Sequence, residues 1–146
     1  MDRHDWLMLL LGVPDQHDEA PPPMDRVRTM KCLFVLGETF PGVKTGPFYS
    51  FRPHNFGPFD AAVYRDAEDL ASRGWIEVVS LKNGHMAYRA TPAGVARAQD
   101  LMRRLPSETL FLSDVRSWAN RVSLSDLLKA IYEKWPDYRA PSVFVA

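Results

Sequence analysis

A single cysteine, Cys32, stands in this chain of 146 residues, so no internal disulfide can form. Its apolar surroundings suit a reducing, cytoplasmic setting. Neither sign of charge is in excess. Eighteen Lys and Arg balance eighteen Asp and Glu, so the molecule as a whole does not attract polyanions. No apolar run reaches the roughly 18 residues of a membrane span. The short run Trp6 to Leu11 has Asp2 and Asp5 beside it, with no basic start and no clear small-residue cleavage site, so it does not read as a signal peptide. Also missing are a phosphate loop, HExxH and G-x-S-x-G. The carboxylates Asp66, Glu68 and Asp69 project in different directions around a helix. His54 and His85 lack the fixed Cys or His spacing of metal ligands. Gly57-Pro58 is a turn, not a nucleotide cradle. These absences argue against an enzyme and against a metal or other cofactor.

What is present is a chain with 46% hydrophobic residues, enough for one core in one domain. It is organised around Arg52 to Ile76, RPHNFGPFDAAVYRDAEDLASRGWI. The breakers Arg52-Pro53 and Gly57-Pro58 open this stretch in a loop. Asp60 to Arg73 reads as a helix, with Phe59, Val63, Ala67 and Leu70 at three- and four-residue steps. Gly74 falls where a helix end calls for a left-handed residue. Trp75 to Leu81 and His85 to Ala90 are strand-like, joined by Lys82-Asn83-Gly84, whose Asn-Gly suits a tight hairpin turn. Helix, glycine, apolar pair and hairpin are the layout of a winged helix-turn-helix. The helix would then read DNA, and the hairpin would be the wing.

The rest of the chain supplies helices around this unit. Asp5 caps a short helix, Trp6 to Leu11, which Gly12-Val13-Pro14 ends. Asp15 to Pro23, DQHDEAPPP, is an acidic, proline-rich loop, and His17 within it reads as solvated. Met24 to Thr39 is a long helix with Val27, Met30, Phe34 and Gly37 on one side, widened by Leu33 and Leu36. Its Arg26, Arg28 and Lys31 read as a solvated edge in preference to a phosphate contact. A loop from Phe40 to Gly46 follows. Phe48 to Phe51 is a candidate strand for pairing with the wing. Thr91 caps the next helix, with Pro92 first and Val95, Ala98, Met102 and Leu105 as its stripe. Ser107 caps another, with Phe111, Val115, Trp118 and Val122 inward. Ser123 to Asp126 reads as a capping box for a last helix, with Leu124, Leu127, Leu128, Ile131 and Trp135 inward and Pro136 as its stop. The apolar tail, Val143 to Val145, packs back on the domain or on a second copy. The expected fold class is mainly α with a small β-hairpin wing, a winged helix-turn-helix with a C-terminal helical extension. It is expected to be one domain over 1–146, with its core at about 24–105 and helices from 107–146 packed on it.

The central stretch resembles the F-x-P-x-x-x-G-P-[FY]-S-x-x-V-Y-x-D-L-x-x-L-x-x-x-G-L-I signature of YwgA-like bacterial winged-helix proteins. It is also similar to the Panacea-type, SocA-like antitoxin domain. RATPAGVARAQDL and VSLSDLLKAIYEKWPDYRAPSVF match the segments that follow the wing and close the domain. The likeness runs from about Trp6 to Phe144. Asp60 stands for the usual Ser, Ala67 for Leu and Trp75 for Leu. The resemblance implies a winged-helix fold and a regulatory or antitoxin role, with no established chemistry to carry over.

Two functions follow as expectations. One is a DNA-binding regulator, a homodimer of the antitoxin or autorepressor type. Its DNA-binding candidates are Arg52, Tyr64, Arg65, Lys82, Asn83, His85 and Arg89, since exposed helix positions enter the major groove and a wing tracks phosphates. The other is a non-catalytic protein-binding module of a toxin–antitoxin or defence system, with Tyr64 and Arg65 as anchors. The four acids between Asp60 and Arg73 favour the second, and the basic stretch from Lys82 to Arg104 favours the first. Tyr64 is also placed to pack down onto the Phe56–Phe59 loop.

Overall fold

The computed structural model describes residues 1–15 and 20–139. The sequence readings of His17 and of the Val143 to Val145 tail lie outside the described residues. Helices make up 61% of the described residues, seven α-helices in all, and the strands form two small antiparallel sheets. The expectation of a mainly helical protein with a hairpin therefore holds.

Helix α1 (Arg3–Gly12) is the centre of the molecule. Asp2 and Asp5 make a reciprocal capping box: each carboxylate accepts from the other's backbone N–H, at 3.0 and 3.1 Å. The helix therefore begins earlier than the expected Asp5 cap allowed. Trp6 to Val13 are all buried. A helix apolar on every side has to lie inside, and α1 is packed by four other helices and by the hairpin. The organising element is thus this helix, not the Arg52 to Ile76 stretch.

Strand β1 (Met24–Asp25) precedes α2 (Arg26–Thr39), so the long helix starts two residues later than its sequence suggests. Asp25 caps it by accepting from Arg28 N at 2.7 Å. A short α3 (Pro41–Lys44) follows. Strands β2 (Arg52–His54) and β3 (Gly57–Phe59) then form their own ribbon, where a loop was expected. Helix α4 (Ala62–Ser72) comes next, its entry held by Asp60, which accepts from Ser50 N and Ala62 N. Gly74, at φ 79°, ends α4, and Gly84, at φ 83°, turns the hairpin of β4 (Ile76–Ser80) and β5 (Met86–Ala90). Both glycines sit where the sequence required them. The sheet order is β1-β5-β4. The strand that completes the hairpin's sheet is therefore Met24–Asp25. Phe48 to Phe51 is not a strand: its rings turn into an aromatic cluster with Phe34.

Thr91 caps α5 (Pro92–Arg104) as expected, accepting from Gly94 N. Helix α5 lies against α1 with almost no space between backbones. A Cβ on Gly12 would come within 2.3 Å of the Ala98 Cβ, and one on Gly94 within 1.9 Å of the Trp75 carbonyl oxygen. Helix α6 (Pro106–Arg121) opens without a side-chain cap, so Ser107 does not have the role expected of it. Its buried stripe is Leu112, Val115, Arg116 and Ala119. Trp118, expected inside, is 36% exposed. Helix α7 (Leu124–Lys134) is capped by Ser123 as expected, and a 3-10 turn (Pro136–Tyr138) follows.

Arg116 explains the shifted stripe. Its side chain is fully buried. Nη1 donates to the carbonyls of Leu10 and Leu11 at 2.8 and 2.7 Å, and Nη2 donates to that of Pro22. The last carbonyls of a helix have no intrahelical donor and lie at the negative end of its dipole. Arg116 meets both needs at the end of α1. Burial lowers its pKa to about 10, so it stays cationic at neutral pH. Arg28 does the same for α6. Its Nε donates to the Ala119 carbonyl at 2.8 Å and Nη2 to that of Val122 at 2.9 Å, while Nη1 meets the Asp25 carboxylate. Arg28 is therefore a helix-end clamp and not a solvated edge.

Arg116→Met should strand these buried acceptors. Each unsatisfied group costs roughly 1–3 kcal/mol, so a loss of about 3–5 kcal/mol in unfolding free energy is expected. Urea denaturation measures it. An unmoved midpoint would mean that water replaces the guanidinium.

Candidate functional site

Helix α4 and the β4–β5 hairpin form the surface that the sequence singled out. The candidates at the hairpin tip do come together. Lys82, Asn83 and His85 are exposed around Gly84, and Asn83 Oδ1 accepts from His85 N at 2.9 Å, which stiffens the turn. The tip borders a cleft of about 320 Å³ against Asp25, Arg26 and Val27 at the start of α2. Arg89 is not free: its Nε and Nη2 both donate to Glu77 Oε1, at 2.8 and 2.6 Å across the hairpin. Both side chains are about half exposed, so this pair adds little stability, but it cancels a positive charge on the hairpin.

Arg65 is exposed on α4 and has no ion-pair partner among the described residues. Tyr64 is half-buried. Its ring meets Phe59 edge-on at 5.8 Å, and the Arg26 guanidinium lies 5.5 Å from its centroid. Burial raises the pKa of its phenol. The expectation that Tyr64 packs onto the Phe56–Phe59 segment is met, and the ring is a supported platform and not a free anchor. Arg52 belongs to the separate β2–β3 ribbon, where it borders a cleft with Asp60 and Ala61 at the entry to α4. The ribbon puts it in a different sheet from Arg89 and apart from the turn that carries Lys82 and His85.

Two exposed apolar side chains complete the surface. Val78 pairs with Tyr88 and Ser80 with Met86, so Val78 and Met86 share the hairpin face that carries Tyr88. Their shared face follows from the strand register, which the sequence alone does not show. The outer side of α4 adds exposed Glu68 and Asp69.

Asp66 is the residue whose surroundings were least visible. It is buried, and its Oδ2 accepts from the Tyr49 hydroxyl at 2.7 Å and lies 3.2 Å from Arg3 Nε. Burial and the Asp66 carboxylate both push the Tyr49 phenol far up, so Tyr49 stays a donor. His4, from the start of α1, lies 3.0 Å from Asp69 and 3.5 Å from Asp66. Asp66 and Asp69 thus converge, one turn apart, where the sequence reading had them diverge.

Lys31 is a second buried charge. It lies beneath β3 and donates from Nζ to the Pro58 carbonyl at 2.9 Å. It is no part of a solvated edge. Burial lowers its pKa from 10.5 to about 8.

In comparisons with known proteins, the chain matches no family model, no curated protein and no solved structure. The function has to be argued from this surface.

The lowered pKa of Lys31 has a sign that can be measured. Between about pH 8 and 10.5 the unfolded chain holds a proton that the folded one has released, so unfolding free energy rises with pH there. Wild type should gain stability relative to Lys31→Met between pH 8 and 10. A flat difference in chemical denaturation would mean that the amine titrates as if in water.

Proposed function

We propose that this chain is a non-catalytic winged-helix regulator of the antitoxin kind, and that the surface of α4 and the β4–β5 hairpin docks a protein. The winged-helix reading is supported by the order of elements. A helix ends at Gly74, a hairpin follows, and a short strand ahead of α2 closes the hairpin's sheet. In that reading α4 is the reading helix and the hairpin is the wing, as the family resemblance implies.

One observation carries the choice of partner: the wing's Arg89 is held by Glu77, beside a helix face that exposes Glu68 and Asp69. A phosphate backbone laid along α4 would meet the carboxylates of Glu68 and Asp69, and on the hairpin's other face the expected cation Arg89 is already taken by Glu77. Apolar Val78 and Met86 on the hairpin, with Tyr64 and Arg65 on α4, supply the residue types of a protein interface: apolar side chains, an aromatic and an arginine. The natural occupant is a cognate toxin or defence-system protein, bound by contact and without chemistry.

A second reading, DNA contact by the wing, is favoured by the exposed Lys82 and His85 at the hairpin tip and by Arg65, which is free for a bidentate contact with guanine.

Titration separates the two. Wild type, Val78→Glu and Lys82→Glu are each measured against the product of the adjacent gene and against DNA from the chain's own promoter at two salt concentrations. Protein docking predicts that Val78→Glu weakens the partner by about tenfold or more, as a buried charge does, while Lys82→Glu changes little. Salt-dependent binding of promoter DNA, with a log–log slope that falls by about 0.9 in Lys82→Glu, would replace this reading with the second.

A further inference from the structure

The start of α1 lays one imidazole across two carboxylates of α4. His4 Nε2 is 3.0 Å from Asp69 Oδ2 and 3.5 Å from Asp66 Oδ1, and ligand atoms of the three residues all lie within 4.8 Å of one another. We propose that His4, Asp66 and Asp69 form a binding site for a divalent cation of the zinc class, which would pin α1 to α4.

The distances suit such an ion. Zinc takes nitrogen and carboxylate oxygen at about 2.0–2.2 Å, so neighbouring ligands of a tetrahedral site stand about 3.4 Å apart. The two separations from His4 already lie near that edge. The carboxylates close on each other by a swing of Asp69, whose side chain is 59% exposed and so has room to move. Three protein ligands with an open side leave the fourth position to water. One imidazole among the donors selects against calcium and magnesium, which prefer oxygen alone.

The surroundings fix the ligands as metal sites require. The Tyr49 hydroxyl, donating to Asp66 Oδ2 at 2.7 Å, leaves Oδ1 turned toward His4. On the far side of the imidazole, Asp2 Oδ1 lies 4.0 Å from Nδ1, within reach of the ring's other N–H after a small movement. One group opposes the ion: Arg3 Nη2 also donates to Asp66 Oδ1, at 3.3 Å. Its side chain is 39% exposed and can swing away, at a cost in affinity. Arg3 therefore sets the strength of the site, and its removal should strengthen it.

The test uses the full chain, stripped with a chelator and titrated with zinc chloride by calorimetry, with thermal melting alongside. One ion per chain and a raised Tm are expected, with calcium chloride giving neither. Asp69→Asn and His4→Gln should each weaken binding at least tenfold, and Arg3→Gln should tighten it. Asp69 is at the surface, so Asp69→Asn keeps the fold, which its circular dichroism verifies. No saturable zinc binding by wild type, or binding unchanged in both Asp69→Asn and His4→Gln, would overturn the proposal.

Discussion

A fully buried guanidinium that donates to backbone carbonyls holds the end of the innermost helix. Helix α1 is apolar on all sides and ends inside the protein, so its last carbonyls cannot turn to water. Only a long side chain with several donors in one plane can reach them together, and arginine is that side chain. Arg116 supplies it from α6, and Arg28 from α2 supplies the same to the end of α6. Three helices are thus tied end to side, each cation meeting the negative pole of the next dipole. A lysine at either place would be a single point charge without the fork.

From this frame the candidate surface follows. Helix α5 approaches α1 so closely at Gly12 and Gly94 that the Trp75 carbonyl, at the foot of the hairpin, is pressed against the α5 backbone. Thr91 hydrogen-bonds back to the Gly74 and Trp75 carbonyls. The hairpin therefore has its base set by α5 while its tip leans over the start of α2. Helix α4 rests on α1, and Asp66 ties the two through Arg3. The outward positions, Arg65, Val78, Lys82 and Met86, are presented on this packed base.

The parts of this fold that local rules govern were legible. Gly74 and Gly84 need positive φ, Thr91-Pro92 starts a helix, and the stripe through Val63, Ala67 and Leu70 is buried as its spacing demands. What escaped depends on residues far apart in the chain. A run of Trp, Leu and Met near Asp5 shows an apolar helix but not that everything else packs around it. Hydropathy favours Trp118 over Arg116 for the interior, and only the α1 carbonyls, more than a hundred residues away, reverse that choice. At the candidate surface, the hairpin tip was readable from Asn-Gly, whereas the Glu77–Arg89 pair required the strand register and the meeting of Asp66 with His4 required tertiary contact. Two-residue β1 carries too little pattern to announce itself.

The place of α1 in the chain has a consequence for synthesis. Among the described residues, every element that covers this helix follows it, and its end waits for a residue 105 and 106 positions further on. As the chain leaves the ribosome from its amino end, a segment rich in leucine emerges long before α5 and α6 exist to enclose it. Contacts so distant close slowly, because loop entropy must be overcome first. In that interval the nascent protein exposes its stickiest stretch.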